Sequence, residues 1–348
     1  MSLFVPGTGL LGSNVSWSFV EESLQRAFGT TATLGPNRSI SCISEGKMPS
    51  GLASIEAQDA VSGEAFRAAM EGALREFHNY EVEFYRNSGG WQNATCLLPI
   101  PQCYYAIPFD VEHRLDAHIA MALVDDVKSL RFEDNLTIQQ AKQVAHTLGF
   151  IQAFGHLSGF SKSEELKDRR ILHLFWMAQS ITSYADMTKK LLEIDHKGIL
   201  AKPIADFLAI LPSLYGTTRT ETYHEDEGLP PVLYFWQGNM LFCARHGHAK
   251  AMLDWQNVHP GSPSEDILRL LLTCLSGADR RARQKELLDT LYSGMVRALN
   301  GVAPPYSREE DNFSDDFTAG DNQAAEKLAA LYEDIVYYHK HQPRQLPK

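Results

Sequence analysis

The spacing of apolar residues changes once along this chain of 348 residues, and that change constrains the fold more than any other feature. Up to Val124 the apolar residues form short runs typical of strands, interrupted by one helical stretch from Gly63 to Tyr85. From Leu136 onward they recur every three or four residues, apart from a strand-like island between Pro231 and Gln256. The pattern predicts an α+β chain in which a small mixed domain, residues 1–124, precedes a larger helical domain, residues 125–348. A ligand is expected in a cleft between two such domains.

Turn and capping residues give bounds to these elements. Asn135 or Thr137 is placed to cap a helix that runs to Phe154, and Ser262 with Glu265 has the spacing of a capping box. Further helices are predicted over residues 164–192, 200–214, 264–275, 279–299 and 324–341, with Gly277 ending the helix over 264–275. Strands are predicted over residues 96–108, 117–124, 232–243 and 249–255, and a hairpin over residues 39–56.

Composition excludes several classes of protein. Lys and Arg number 32 against 43 Asp and Glu, a net charge of −11, whereas a duplex-DNA binder needs a basic face. The five cysteines are scattered and never form C-x-x-C, which argues against a disulfide framework and a structural zinc site. The first residues lack the basic segment of a signal peptide, and no run of eighteen apolar residues occurs. We therefore expect a soluble, cytoplasmic protein without nucleic-acid or membrane partners.

Two polar residues in the strand-like island are candidate metal ligands. Asp254 follows an apolar run, and Asn239 lies fifteen residues earlier on the facing strand of the predicted hairpin. Such a hairpin brings both side chains to one end, and two oxygen ligands suit Mg²⁺, which keeps several waters. The alternative is that Asp254 only caps a turn, as Asp often does at strand ends.

Two features of the first domain have the chemistry of a phosphate site. Glu81, on the predicted helix, could orient a phosphate-binding lysine, although a solvated helix charge is the simpler interpretation. Gly46, Lys47, Ser50 and Gly51 form a turn whose backbone N–H groups could cradle phosphates. This turn is not a Walker A sequence, because no Gly-Lys-Ser/Thr opens a helix there, and an ordinary hairpin turn is the alternative.

Several segments resemble the CHK kinase-like family, which is related to choline and ecdysteroid kinases and to aminoglycoside phosphotransferases. The resemblance is most specific where Asp254-Trp255-Gln256 precedes Gly261-Ser262-Pro263 and Asp266. It also includes Trp236 to Phe242, and it covers most of the chain through the segments Thr8–Gly12, His78–Tyr85, Gly228–Leu233 and Leu275–Arg280.

The resemblance implies a protein-kinase-like, two-lobed fold with a small β-rich N-lobe and a larger helical C-lobe. It implies ATP and Mg²⁺ as cofactors and a small hydroxylated molecule as phosphate acceptor. Asn239 and Asp254 match the family's metal ligands, and Glu81 matches the helix glutamate that holds a lysine. The remaining matches are the glycine loop at Gly46 and Lys47, the hinge strand from Met121 to Val124, whose backbone would meet adenine, and the structural aspartate Asp266.

The chain departs from the family at three elements. The family has His-Gly-Asp-x-Trp before the metal asparagine, but here Leu233 is followed by Tyr234, which stands at the position of the catalytic aspartate. A phenol with a pKa near ~10 does not replace a carboxylate base. The lysine strand is missing, since no lysine occurs between Lys47 and Lys128, and the acidic loop near Asn312 is short.

These departures leave three hypotheses. The chain is a degenerate, pseudokinase-like protein with little or no phosphotransfer activity; or an active kinase of choline-, steroid- or xenobiotic-type alcohols whose missing segments reflect a faulty gene model; or a nucleotide- or ligand-binding module without turnover. The sequence specifies neither the acceptor nor the oligomeric state.

Overall fold

We describe the fold from a computed structural model of the chain. The description covers residues 5–41, 60–87, 100–110, 115–130, 134–158, 198–215, 237–260 and 263–308, together with residues 188–189, 191–193, 195, 231–232 and 336. The chain divides into two compact units. The first holds residues 1–93, 101–123 and 254–256, and the second holds residues 94–100, 124–253 and 257–348.

The first unit packs two helices on a two-stranded sheet. Helix α1 (Trp17–Phe28) begins at Ser16, whose hydroxyl accepts the N–H of Phe19, and ends at Gly29 in the left-handed conformation. Helix α2 (Ala60–Asn87) confirms the helix predicted around Gly63–Tyr85. Strands β1 (Cys103–Ile107) and β2 (His118–Met121) pair antiparallel and confirm the two predicted strand regions. Both helices contact β1.

The second unit contains an antiparallel sheet in the order β3–β5–β6, formed by Val127–Ser129, Met240–Cys243 and Ala249–Met252. The predicted hairpin is therefore confirmed, with its turn over residues 244–246. The predicted strand from Val232 to Cys243 is wrong as one element. Its start is β4 (Pro231–Val232), which pairs with β7 (His259–Pro260) in a separate sheet, and a 3₁₀ turn over Gln237–Asn239 precedes β5.

Among the residues that the structure describes, the second unit contains the helices α3 (Ile138–Ser158), α4 (Ala201–Tyr215), α5 (Ser264–Thr273) and α6 (Gly277–Leu299). Thr137 caps α3, because its hydroxyl accepts the N–H of Gln140 while the side chain of Gln140 accepts the N–H of Thr137. Helix α3 is buried on nearly all sides and packs against α5 and α6. The buried Gln152 donates to the carbonyl of Pro263 at 2.8 Å and accepts from the hydroxyl of Tyr306.

The predicted start of the helix over 264–275 is confirmed at Ser264, but its predicted end is wrong. The residue preceding α5 is Pro263, without a side-chain cap, and Ser262 of the predicted capping box lies outside the described residues. The Glu265 carboxylate lies 3.4 Å from the His259 ring. Gly277 does not end α5 but begins α6, because the Ser276 hydroxyl accepts the Asp279 N–H at 3.0 Å and donates to its carboxylate. The helices are thus separated by three residues, and the last of them, Ser276, caps α6.

The mixture of helices and small antiparallel sheets confirms the predicted α+β class. The predicted hairpin at residues 39–56 lies almost entirely outside the described residues, as do most of the helices predicted at 164–192 and 324–341. Among the helices that the structure describes, none combines the length and apolar character needed to span a membrane.

Candidate functional site

Trp255, the residue after Asp254, is anchored in the core of the first unit. Its indole is 1% exposed and lies parallel to the ring of Phe84 on α2, with 3.8 Å between ring centroids and 6° between planes. Its backbone N–H donates to Oε1 of Glu81 at 3.4 Å. The stack and the hydrogen bond fix the short segment 254–256 against α2, and so bring Asp254 close to Glu81.

The carboxyl of Glu81 has unusual electrostatics. Burial, and after it the negative charge of Asp254, raise its pKa to about 7, and the Trp255 N–H only partly opposes this. In the part of the chain that the structure describes, no lysine or arginine forms an ion pair with Glu81. Two carboxyl groups therefore share a site in which one of them is half protonated near neutral pH.

Asp254 lies two residues beyond the end of β6, in the left-handed region with φ of 66°. This conformation is uncommon for residues with a side chain, although Asp and Asn tolerate it best. Asp126 and Asn300 adopt it at a turn and at a helix end. A turn role explains the backbone of Asp254 equally well, so its φ alone identifies no catalytic function.

Tyr85 and Cys103 lie near the two carboxyl groups, and sequence reasoning missed both. Burial, followed by the charge of Glu81, raises the pKa of the Tyr85 hydroxyl well above its usual range and that of the Cys103 thiol to about 11. Both groups therefore remain neutral at physiological pH. Their proximity to Glu81 could not be read from spacing, because Cys103 comes from β1 and not from α2.

The structure also describes the predicted site residues Asn239, Met121 and Val124. Asn239 ends the 3₁₀ turn before β5, and its carbonyl accepts the N–H of Leu253 at 2.8 Å, next to Asp254 in the chain. Met121 ends β2 opposite Cys103, and Val124 is the first residue after the first unit. Their roles in binding metal and adenine remain predictions. Gly46, Lys47 and Tyr234 lie outside the described residues.

A further set of polar residues on α2 holds the end of β1. Asn79 donates to the carbonyl of Phe109 at 2.9 Å and accepts the Phe109 N–H at 2.7 Å. His78 donates to the carbonyl of Ile107 at 2.9 Å, and Arg86 to that of Ala106 at 3.0 Å. Asn79 and Arg86 lie seven positions apart, a spacing that places both on one face of a helix, and this is the signal in the sequence that could have found them.

Near the start of the chain, Gly7, Gly9 and Gly12 have the G-x-G-x-x-G spacing of dinucleotide-binding loops, which the sequence analysis also passed over. The structure gives this spacing a different context. The N–H groups of Gly7 and Gly9 donate to the carbonyls of Gly12 and Ser13, so that the loop closes on itself. No α-helix opens at Gly12, because α1 begins only at Trp17. The amides are therefore not presented to a pyrophosphate.

The raised pKa of Glu81 predicts a pH-dependent stability. A carboxyl whose pKa rises from 4.5 to about 7 on folding stabilises the fold below pH 4.5, and this contribution is lost as the pH rises through 7. Glu81→Gln keeps an acceptor for the Trp255 N–H but removes the ionisable group. We expect the change in the free energy of unfolding caused by this substitution to be more stabilising at pH 8 than at pH 4.5 by about 2 to 3 kcal/mol. Urea unfolding followed by tryptophan fluorescence measures both values.

Glu76→Gln is the matched control, because Glu76 is an exposed carboxylate on the same helix. It removes one charge from α2 without touching the segment 254–256, and we expect no comparable difference between the two pH values. An effect of Glu81→Gln that is equal at pH 4.5 and pH 8 would show that the carboxyl titrates normally.

Comparison with known proteins gives distant relatives. No solved structure matches the chain. The chain is 22% identical to the Caenorhabditis elegans protein named "Uncharacterized oxidoreductase dhs-27" over 64% of its own length and 27% of that protein's. It is 23% identical to "Uncharacterized kinase-like protein D1044.1" of the same organism over 70% of its own length and 63% of that protein's. The chain thus spans less than two thirds of either relative.

A family profile gives the wider assignment. The profile of DUF1679, described as "Uncharacterized oxidoreductase dhs-27", matches residues 3–58 and 49–320, which together make up most of the chain. The two-carboxyl site and the segment that carries Trp255 lie within the matched range. This chain belongs to the DUF1679 family.

Proposed function

We propose that the chain is a kinase-like protein of the CHK type that has lost most or all phosphotransfer activity. It has a two-lobed fold related to small-molecule phosphotransferases, and Glu81, Asp254 and Asn239 are what remains of a nucleotide and metal site. The similarity to a protein named kinase-like supports the relationship. Kinase-type phosphoryl transfer depends on positioning and charge neutralisation, so the charges around Glu81 bear directly on activity.

The observation that carries this proposal is the state of Glu81. An active site of this type needs the helix glutamate ionised and paired with a phosphate-binding lysine. Here the neighbouring charge is another carboxylate, Asp254, and the pKa of Glu81 rises to about 7. A lysine paired with Glu81 would instead lower its pKa. The electrostatics therefore support the loss of the lysine that the sequence indicated.

Asp254 and Asn239 offer the carboxylate and amide oxygens that suit Mg²⁺. In our proposal they would hold the ion, which would neutralise phosphate charge when nucleotide is bound. The negative charge shared by Asp254 and Glu81 fits a cation better than it fits a phosphate group. Nucleotide without Mg²⁺ is accordingly expected to bind poorly.

An oxidoreductase is the second candidate, because the family description and one relative carry that name. The G-x-G-x-x-G spacing at Gly7, Gly9 and Gly12 favours it, but the self-bonded loop and the delayed start of α1 oppose a dinucleotide site. The described sheets are also antiparallel, whereas dinucleotide-binding domains of that kind use a parallel sheet. We therefore favour the kinase-like proposal.

Lys47 is the one lysine among the first 127 residues. It is therefore the candidate in that region for a lysine that contacts nucleotide phosphates. If Mg–ATP binding is retained through this residue, we expect Lys47→Ala to weaken binding at least about tenfold, as the loss of a charged hydrogen bond does. Isothermal titration calorimetry with Mg–ATP measures this, with Lys128→Ala, an exposed lysine on β3, as control. Equal affinity of wild type and Lys47→Ala excludes Lys47 as a phosphate ligand.

An active kinase encoded by a gene whose exon boundaries were misassigned is the remaining alternative. It predicts that transcripts carry additional codons within the segments for residues 45–65 and 230–240, where the lysine strand and the His-Gly-Asp element are missing. Sequencing of transcripts across both segments tests this directly. If the transcripts encode the present sequence in both segments, the catalytic elements are genuinely missing and the alternative is excluded.

A further inference from the structure

We infer that Asn79, with His78 and Arg86, is a positioning residue that holds Glu81 beside Trp255 and Asp254 without help from a lysine. This assignment rests on the proposed role of Glu81 and Asp254 in a nucleotide site. We name the three residues the helix clamp. Together they make four hydrogen bonds to the main chain of residues 106, 107 and 109, at the end of β1.

The geometry of α2 explains how the helix clamp acts on Glu81. Successive residues of an α-helix are rotated by about 100°, so Asn79 and Glu81 point to nearly opposite sides. Arg75, Asn79, Val82 and Arg86 share one face, with His78 at its edge, and Val82 is 1% exposed. Glu81, Phe77, Phe84 and Tyr85 share the other face, where Phe84 stacks on Trp255. Rotation of the helix about its axis would carry Glu81 away from Trp255.

Asn79 is the central member because it binds at two points. Its amide donates to the carbonyl of Phe109 and accepts the N–H of the same residue, which fixes orientation as well as distance. The ring of His78 lies edge-on to the ring of Phe109, with 4.9 Å between centroids, and the Arg75 guanidinium lies over the same ring at 4.9 Å. Asn79, His78 and Arg75 therefore all contact Phe109, and these contacts fix its backbone relative to α2.

The chemistry of His78 suits this role. Burial lowers the pKa of its imidazole, so the ring stays neutral at physiological pH and keeps its Nε2–H for the carbonyl of Ile107. The helix clamp therefore consists of hydrogen bonds to main-chain atoms and requires no ion pair with Glu81. Helix α2, which carries Glu81, therefore stays in position even when no lysine pairs with Glu81.

Amide hydrogen exchange at Trp255 reports on this positioning, because that N–H donates to Glu81. Selective ¹⁵N-tryptophan labelling gives one backbone resonance for each of the five tryptophans, and Trp255→Phe assigns the one of interest. We expect Asn79→Leu, which has similar volume but no polar group, to accelerate exchange at Trp255 at least tenfold. Arg86→Leu removes an exposed residue of the helix clamp and is expected to accelerate amide exchange at Trp255 about threefold. This variant keeps the inference testable if Asn79→Leu does not fold.

Val15→Ala is the control for general destabilisation, since Val15 is buried in the same unit and takes part in none of the four hydrogen bonds of the helix clamp. Exchange at Trp255 that is no faster in the helix-clamp variants than in Val15→Ala, at equal global stability, overturns the inference. Mg–ATP affinity of the same proteins separates the two proposals. If wild type binds no Mg–ATP, a retained nucleotide site is refuted, while faster exchange in Asn79→Leu still establishes the positioning role.

Discussion

Replacing Gly149 with alanine is expected to disrupt the packing of α3 against α6 and to lower the free energy of unfolding by about 1 to 3 kcal/mol. A Cβ on Gly149 would lie 2.0 Å from the carbonyl oxygen of Leu291 and 2.8 Å from the N atom of Met295. Both are main-chain atoms of α6, which cannot turn away as a flexible side chain would. The helices would have to separate, and the apolar contacts of Ala153 with Met295 and Leu299 would be lost.

Gly72→Ala provides the matched control. It is also a glycine-to-alanine change within a helix, but no atom lies within 4 Å of the added Cβ. We expect this variant to be more stable than wild type by about 0.5 to 1 kcal/mol, because alanine favours the helix. Chemical denaturation of the three proteins measures the difference. A Gly149→Ala variant within 1 kcal/mol of wild type would contradict the close approach of the two helices.

The sequence predicted α3 correctly as a helix but not its environment. The apolar residues of this helix recur at helical spacing and predict one face in the core: Ile138, Ala141, Val144, Leu148, Ile151 and Phe154. The structure buries the polar Gln140, Thr147 and Gln152 as well. Small residues such as Gly149 allow α6 to approach, and Gln152 is satisfied by Pro263 and Tyr306. Periodicity identifies a helix but does not show how many neighbours surround it.

For the candidate site too, the sequence identified residues but not the contacts between them. Glu81 and Asp254 were singled out from the sequence, but their proximity depends on a hydrogen bond between residues 174 positions apart. Local patterns carry no information about such a contact, which only the structure shows. The raised pKa of Glu81 depends on burial and on the charge of Asp254, both consequences of packing. The predicted helix end at Gly277 was wrong because a glycine is expected after a helix, whereas here Ser276 caps the helix that follows and Gly277 begins it.

The largest expected effect concerns phosphotransfer itself. Tyr234 stands where a carboxylate base is expected, and the strand that carries the lysine is missing from the sequence. Loss of a general base costs about 10²–10⁴-fold in rate, and loss of a cation that stabilises the transition state costs a comparable factor. Small-molecule kinases of ordinary activity turn over at about 1–100 s⁻¹. A combined loss of at least ~10⁴-fold places turnover by this chain below about 10⁻² s⁻¹.

Asp254→Ala distinguishes weak intrinsic turnover from a contaminating kinase. The substitution removes the proposed metal ligand, so any transfer that depends on this site should disappear with it. A contaminant would instead give equal rates in both preparations. Trp255, which fixes the segment in the core, is left unchanged in this variant.

The most direct test of the lost activity is ADP release from Mg–ATP in a coupled assay, with choline, steroid alcohols and other small alcohols as acceptors, for wild type and Asp254→Ala. We predict rates below about 10⁻² s⁻¹ for every acceptor with both proteins. Turnover by wild type near or above about 1 s⁻¹ with any acceptor, abolished by Asp254→Ala, would contradict the account and identify the chain as an active kinase.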